Sequence, residues 1–381
     1  MLYMDNSATT KPFPEVLDTY RQVSETFFGN PSSLHKLGGQ AEHLIQQARK
    51  QVSNILDTKE EEIIFTSGGT EGNNMAIKGI ALAHMNRGRH IIISSIEHPS
   101  VIEACKQLEK FFHFEITMLP VNQAGFVQID DLKQSLRDDT ILVSIMHVNN
   151  ELGTIQPVEE IGRLLSDRPN TFFHIDHVQG AAKVPLNIKM SQADLCTMSA
   201  HKFHGLKGTG ILFVKKGVEL LPLHSGGSQE RGYRSGTENT AGIVAAAKAL
   251  RMASEKYKEK KRMLEETKSS LMNALEKLDG IVLNTISTGT APHIVNFSVP
   301  GIKPEVLVHQ LEEKDIYLST TSACSSRQNA VSQTLLAAGK GEEIARSVLR
   351  ISLSFEHSPE IVPYLVKTIE QSIQHLKKVT R

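Results

Sequence analysis

A lysine and an aspartate give this chain its clearest indication of chemistry. Lys202 lies in the run Thr197-Met198-Ser199-Ala200-His201-Lys202-Phe203-His204-Gly205, and Asp176 ends a predicted strand upstream, Thr171 to Asp176. A lysine amine forms Schiff bases with aldehydes, and a carboxylate keeps a pyridine nitrogen protonated. Both groups are needed at a pyridoxal phosphate (PLP) site. Either residue alone is explained more simply, as a surface lysine or a turn aspartate.

A glycine-rich turn offers a place for a phosphate. The run Phe65-Thr66-Ser67-Gly68-Gly69-Thr70-Glu71-Gly72-Asn73-Asn74 follows a predicted strand and opens a predicted helix. Backbone N–H groups at a helix N-terminus bind anions, and the Thr70 hydroxyl adds a donor. No Gly-Lys-Ser/Thr follows, so the run is not a nucleotide P-loop. An ordinary strand-to-helix turn capped by Thr70 is the alternative.

Four polar residues share one kind of position. Asn150 follows the strand that ends near His147, and Thr70, Asp176 and Lys202 also fall at the carboxyl ends of predicted strands. Open α/β sheets bind their ligands at that edge. The common location favours one site over four unrelated features.

Arginines supply two further candidate anion contacts. The glycine-containing run from Gly226 to Thr237 carries Arg231 and Arg234, and its alternative is a solvated loop. Arg350 lies in a strand-like alternation, on the face opposite Leu349 and Ile351. That position suits a bidentate grip on a substrate carboxylate, and a structural salt bridge is the alternative.

The cysteines divide into two kinds. Three are present, which argues against a disulfide framework. Cys105 and Cys196 sit in apolar patterns and are expected to be buried. Cys324 lies among serines, threonines and an alanine, so we expect an exposed, reactive thiol; an incidental surface cysteine is the alternative.

A metal site is the rival chemistry. His174 and His177 are three residues apart, as are His201 and His204. Three-residue spacing suits two ligands on a helix, whereas on a strand it sends the side chains to opposite faces. We therefore predict no metal site.

Composition limits the function classes. With 381 residues the chain is expected to form two domains. The formal net charge is zero, which gives no indication of a nucleic-acid or membrane-surface partner. No apolar run is long enough to span a membrane, and the first residues lack the pattern of a signal peptide, so we expect a cytoplasmic protein.

Strand-like and helical runs alternate over residues 40–250, which predicts an α/β fold with a mostly parallel sheet covered on both faces. A long charged helix is expected from Ile243 to Leu278. Beyond it, the strand-like runs Ile294 to Ser298 and Val348 to Leu353 predict a smaller α+β domain.

Over essentially its whole length, the chain resembles the cysteine desulfurases of the NifS/IscS-like family, which are PLP enzymes of aminotransferase fold type I. The motifs that carry the resemblance are Tyr3 to Thr10, Asn30-Pro31-Ser32-Ser33, Thr66 to Asn74, Glu97-His98, His147 to Gly153, His174-Ile175-Asp176, Gln179, Ser199-Ala200-His201-Lys202, Arg234-Ser235-Gly236-Thr237, Ser322-Ala323-Cys324 and Arg350-Ile351-Ser352.

The resemblance implies a seven-stranded sheet in a large PLP-binding domain, residues 13–254, and a small domain of residues 1–12 and 255–381. It implies a homodimer that removes sulfur from L-cysteine, leaves L-alanine, and passes the sulfur to a protein acceptor in iron–sulfur, tRNA-thiolation or thiamine pathways.

The resemblance also implies roles for single residues. Lys202 would bind PLP covalently and shuttle protons, and Cys324 would carry the sulfur as a persulfide. The pyridine nitrogen, the phenolic oxygen and the ring face would be contacted by Asp176, Gln179 and His98. The remaining roles are a phosphate site of Gly69, Thr70, Ser199 and His201, joined by Thr237 of the other subunit, and a substrate-carboxylate site of Asn150 and Arg350.

Some positions depart from the usual family pattern. Gly69 and Gly72 stand where Ala and Ser are common, and Ser354-Phe355-Glu356-His357 replaces the usual Gly-Arg after Arg350-Ile351-Ser352-Leu353. These departures leave the sulfur acceptor open. A selenocysteine lyase, another PLP lyase or aminotransferase, and a non-enzymatic scaffold are the alternative functions. Cys324 argues against an aminotransferase, and intact Lys202 and Asp176 argue against a scaffold.

Overall fold

The central sheet has seven strands. The structure is a computed structural model that describes residues 1–320 and 331–379. With strands numbered along the chain, the spatial order is β2 (Ile63–Thr66), β8 (Gly210–Val214), β7 (Leu195–Ser199), β6 (Phe172–Asp176), β5 (Thr140–Met146), β3 (His90–Ser94) and β4 (Glu115–Leu119). Only β8 runs antiparallel to its neighbours within this sheet. The predicted mostly parallel sheet is confirmed.

Helices cover both faces of this sheet. One face carries α1 (Pro14–Thr26), α2 (Lys36–Leu56), α5 (Ile129–Ser135), α6 (Val158–Leu165) and α7 (Thr240–Leu275), and the other carries α3 (Gly69–His84) and α4 (Pro99–Phe112). Side chains alternate along each strand: Ile63 and Phe65 enter the first core, and Ile64 enters the second. Burial on both faces explains why the strands read as continuous apolar runs.

A smaller set of elements packs around a separate core. Strand β10 (Ile294–Ser298) lies antiparallel between β12 (Val348–Ser352) and β9 (Val282–Leu283), and β1 (Leu2–Tyr3) pairs with β11 (Ile316–Tyr317). The helices here are α8 (Pro304–Glu312), α9 (Gln333–Ala337), α10 (Glu342–Arg346) and α11 (Val362–Val379). Across the described ranges, no helix is both long and apolar enough to cross a membrane.

The long helix α7 connects the two cores. It begins after Asn239, whose side chain accepts a hydrogen bond from the Gly242 N–H at 3.0 Å. Its first half packs on the central sheet and its second half, from Leu264, packs on the small sheet. The predicted end at Leu278 is wrong by three residues, because Leu278 N–H bonds to the Leu275 carbonyl in a tight turn. The division at residues 13 and 254 stays a prediction.

Candidate active site

A cavity of about 190 Å³ opens at the carboxyl ends of β5, β6 and β7, where α3 also begins. The carboxyl ends of parallel strands lie at one edge of the sheet, so segments that are far apart in sequence meet there. Most of the residues predicted for the site line this cavity: Gly69, Thr70, His98, Asn150, Asp176, Gln179, Ser199, His201, Lys202 and Arg350.

Asp176 is the last residue of β6 and is buried. Its Oδ1 accepts from the Val178 N–H at 2.9 Å, and its Oδ2 accepts from Asn73 Nδ2 at 2.7 Å. These two donors fix the direction of the carboxylate. Asn73 was not among the predicted site residues, although its spacing from Thr70 is one helical turn and places both on one face of α3.

Lys202 ends a short 3-10 turn that follows β7. Its Nζ donates to the carbonyls of Ser7 and Ala8, the latter at 2.8 Å. The Ser7 carbonyl also accepts from Gln179 Nε2 at 2.9 Å. The N-terminal segment therefore lies against the lysine head, which the sequence patterns did not reveal.

The start of α3 forms one wall of the cavity. Gly68 has φ 153°, a region that favours glycine, and α3 begins at the next residue, so that Gly69 and Thr70 line the cavity. A Cβ at Gly69 would lie 2.8 Å from Val178 Cγ2, so an alanine here would require the Val178 side chain to shift. Ser199 is buried beside this turn, and Thr70 is exposed at its mouth.

Two histidines at the site are held neutral. Burial and the nearby Lys202 charge lower the pKa of His201 to about 3, and its Nδ1 lies 3.2 Å from Thr9 Oγ1. Burial also lowers the pKa of His98. His98 caps α4, with Nδ1 accepting from the Ser100 N–H at 3.1 Å, so its ring proton resides on Nε2.

Arg350 is almost fully buried at the base of the cavity. Its Nη1 donates to the Asn150 carbonyl at 2.8 Å, and its Nη2 pairs with Asp5 Oδ1 at 3.0 Å. The predicted alternation of β12 is therefore correct in directing the guanidinium away from the apolar core.

Several buried polar atoms at the cavity have no hydrogen-bond partner among the described residues. Among the described residues, buried atoms without a hydrogen-bond partner include Ser7 Oγ, Asn73 Oδ1, Gln179 Oε1 and Arg350 Nε. Buried polar groups are normally satisfied, so these atoms indicate a polar occupant. A ligand with a phosphate, a protonated pyridine nitrogen and an aldehyde fits the N-terminus of α3, the carboxylate of Asp176 and the amine of Lys202.

Among the described residues, one predicted site residue does not line the cavity. Thr237 is exposed in the loop before α7. Cys324 lies outside the described residues, so its exposure and role stay predictions. Cys105 and Cys196 are buried, as predicted, and burial raises the pKa of both thiols, to about 12 for Cys105.

The histidines of the rival metal hypothesis have other partners. His174 Nδ1 and Nε2 bond to the hydroxyls of Ser144 and Thr197 at 2.8 and 2.9 Å, and His177 Nδ1 lies 2.8 Å from His147 Nδ1. No cluster of three or more potential metal ligands occurs in residues 1–320 and 331–379.

Comparison with known proteins identifies the family. The Aminotransferase class-V family matches residues 2–365. A NifS/IcsS protein homolog of Lactobacillus delbrueckii subsp. bulgaricus is 46% identical over 100% of this chain and 99% of its own. A cysteine desulfurase IscS of Methanosarcina thermophila is 42% identical over 100% of this chain and 93% of its own. A solved NifS-like protein superimposes with a TM-score of 0.92, at 37% identity over 98% of this chain and 99% of that one. The chain therefore belongs to the class V aminotransferase family and, within it, to the NifS/IscS-like cysteine desulfurases.

Proposed function

We propose that this chain uses PLP to remove sulfur from L-cysteine, giving L-alanine and a persulfide on Cys324. The observation that carries the proposal is that Lys202 and Asp176 line one cavity at the start of α3. Relatives named cysteine desulfurase favour this reaction over the selenocysteine lyase and aminotransferase alternatives.

The proposed cofactor contacts follow from the wall that each residue forms. Lys202 would hold PLP covalently, Asp176 would face the pyridine nitrogen, and His98 would cover the ring. Gln179 would meet the phenolic oxygen through its amide. The phosphate would lie against Gly69, Thr70, Ser199 and His201. When bound, PLP supplies the electron sink for carbanion chemistry.

The chain's own residues then divide the remaining work. Arg350 and Asn150 would bind the substrate carboxylate, with the unpartnered Nε of Arg350 as one donor. Lys202 Nζ would accept the Cα proton. The Cys324 thiolate would attack the substrate sulfur, so that an S–S bond forms while the C–S bond breaks and its electron pair stays on carbon. Protonation of that carbon yields alanine.

We also propose that the functional unit is a homodimer and that the sulfur passes to a protein acceptor in an iron–sulfur, tRNA-thiolation or thiamine pathway. The exposed position of Thr237 supports the dimer. Its family role is to contact the PLP phosphate, but Thr237 does not line the cavity of its own chain, so it would have to contact the phosphate of a second subunit. Sedimentation should show a dimer, and a fully active monomer would exclude it. Affinity capture of acceptors by tagged protein would separate the three pathways.

Replacement of the lysine tests the cofactor and the reaction together. Purified protein should show a visible absorption band from covalently bound PLP and should release alanine from L-cysteine. Lys202→Ala should lose both, because none of the other lysines that the structure describes lines the cavity. Lys207→Ala, at an exposed lysine in the following loop, is the matched control and should keep both. A native protein that PLP cannot reconstitute would exclude this function.

A further inference from the structure

The loop of residues 224–239, which carries Thr237, is fixed to the central sheet by a buried ion pair. Arg49 Nη1 and Nη2 donate to Glu230 Oε2 and Oε1 at 2.9 and 2.8 Å, in a bidentate pair. The side chains are only 5% and 2% exposed. Glu230 Oε2 also accepts from the Phe65 N–H at 2.9 Å, and the Arg49 guanidinium lies 4.9 Å from the centre of the Phe65 ring. One carboxylate therefore ties the loop to both α2 and β2.

The backbone of the loop is held in an unfavourable conformation at this point. Glu230 and Arg231 are consecutive non-glycine residues with φ of 45° and 58°. Such left-handed residues persist only where surrounding contacts determine them, and they concentrate at functional sites. Here those contacts are the Glu230 carboxylate and Arg231 Nη1, which donates to the Glu61 carbonyl at 2.7 Å.

A second ion pair ties the loop to the start of α3. Arg234 Nε donates to Glu71 Oε1 at 2.9 Å, and Glu71 Oε2 accepts from the Ser67 N–H at 2.8 Å. Beyond Arg234, Ser235 Oγ donates to the Gly227 carbonyl and the Gly236 N–H donates to Gln229 Oε1, at 2.7 and 3.2 Å. The segment that leads into Thr237 is thus held by an ion pair and by hydrogen bonds within the loop.

This rigid loop presents Thr237 to solvent, away from the cavity of its own chain. We infer that Arg49 and Glu230 are positioning residues that act on the cofactor site of a second copy of this chain: they fix the 224–239 loop so that Thr237 donates to the PLP phosphate held by the other subunit. The inference rests on the proposed function, which supplies both the cofactor and the dimer. The Arg234–Glu71 pair assists from the same subunit.

Variants of the loop anchor test the inference through PLP affinity. The double variant Arg49→Met with Glu230→Gln removes both charges, so no unpaired charge is left buried. Its PLP dissociation constant should rise on the order of ten-fold, because one charge-assisted hydrogen bond to the phosphate is lost. Arg234→Gln, which breaks the less buried pair, should change the affinity in the same direction and serves if the double variant fails to fold. Lys189→Gln, which breaks the exposed pair with Asp57, is the control and should leave it unchanged.

Hybrid dimers show whether the anchor acts on its own site or on the partner's. Each hybrid dimer carries the two anchor substitutions once and the Lys202→Ala substitution once. In the first hybrid both changes are in one subunit, so the intact Lys202 faces the altered loop of its partner. In the second hybrid they are in different subunits, so the intact Lys202 faces a normal loop. General destabilisation would affect both hybrids alike, because their compositions are identical.

We expect weakened PLP binding in the first hybrid and normal binding in the second. Equal affinities, or the reverse order, would overturn the inference, as would normal PLP affinity in both the double variant and Arg234→Gln. The proposed function fails separately, if the wild-type protein neither binds PLP nor releases alanine from L-cysteine.

Discussion

Arg350 of β12 and Asn150, in the turn that follows β5, are joined by a hydrogen bond of 2.8 Å from Arg350 Nη1 to the Asn150 backbone carbonyl. Arg350 itself and Glu151, the residue after Asn150, also hydrogen-bond to the residues on either side of the segment 321–330. The Arg350 N–H donates to the Ser319 carbonyl at 2.8 Å, and Ser332 Oγ donates to the buried carboxylate of Glu151 at 2.6 Å. The two proposed carboxylate-binding residues are therefore linked by hydrogen bonds to the residues on both sides of the segment that contains Cys324.

Replacement of Arg350 by lysine should weaken cysteine binding more than it weakens cofactor binding. Lysine keeps the charge but cannot contact Asn150, Asp5 and a substrate carboxylate from one planar fork. We expect KM for L-cysteine to rise on the order of ten-fold or more, with PLP content unchanged. Steady-state alanine formation and cofactor absorbance measure the two effects.

The control for this variant is Arg346→Lys, since Arg346 is exposed and pairs with Glu342 on α10. It should leave KM unchanged. If Arg350→Lys binds cysteine as tightly as the wild type, Arg350 is a structural residue and the carboxylate is bound elsewhere.

Asp176→Asn should separate cofactor binding from chemistry. The wall formed by α3 remains, so PLP should still bind. A neutral amide cannot keep the pyridine nitrogen protonated, and activity should fall on the order of 100-fold or more at saturating PLP. Asn73→Ala removes the 2.7 Å contact but leaves the charge, and should cost less activity. Wild-type turnover by Asp176→Asn at full occupancy would show that the aspartate is structural.

Glu97 gives the apoprotein a pH-dependent stability. Its Oε1 accepts from Ser94 and from the Met146 N–H, Oε2 is buried without a partner within the described chain, and burial raises its pKa to about 8. A carboxyl with a raised folded-state pKa binds more protons when folded. Its contribution is therefore complete below the unfolded pKa of about 4.3 and is lost as the pH rises toward 8.

Glu97→Gln should remove that loss, because the amide stays neutral. The stability of the variant relative to the wild type should increase between pH 5 and 8, by up to about 1.4 kcal/mol per pH unit. Urea unfolding of the apoprotein at several pH values measures it. Glu109→Gln, at an exposed position on α4, the helix that follows Glu97, is the control. A constant difference across this range would contradict the assignment of a buried, neutral Glu97.

Local sequence patterns predicted the strands well where both faces of the strand are buried by helices. The strands ending at Thr66, Met146 and Asp176 were read from continuous apolar runs, and their ends at one sheet edge place Thr70, Asn150 and Asp176 at one cavity. The position of Lys202 predicted a strand before it but no bounds for that strand, which is β7 (Leu195–Ser199). It alternates small and polar residues with apolar ones, although all of them are buried between β6 and β8.

These local patterns did not predict contacts between segments that are distant in sequence. The carbonyls of Ser7 and Ala8 accept from Lys202, and the Ser7 N–H donates to Ser352 Oγ at 2.8 Å, which joins the N-terminal segment to the C-terminal region. Glu151 likewise has no local signal for its bond to Ser332. Such contacts depend on how the small sheet packs on the large one, which no periodicity encodes.

Cys324 should be the thiol that alkylates fastest and the one that carries the persulfide. The other thiols are buried, and burial raises the pKa of Cys196 and raises that of Cys105 to about 12, so neither supplies thiolate at neutral pH. Cys324→Ser should still bind PLP and L-cysteine, because Lys202, Asp176 and Arg350 are unchanged. It should not release sulfide or pass sulfur to an acceptor, since a hydroxyl oxygen cannot take the sulfur. Mass spectrometry after incubation with L-cysteine locates the added sulfur, with Cys105→Ala as the control that should still carry it. Extra sulfur on Cys105 or Cys196, or native desulfuration by Cys324→Ser, would show that the nucleophile is another residue.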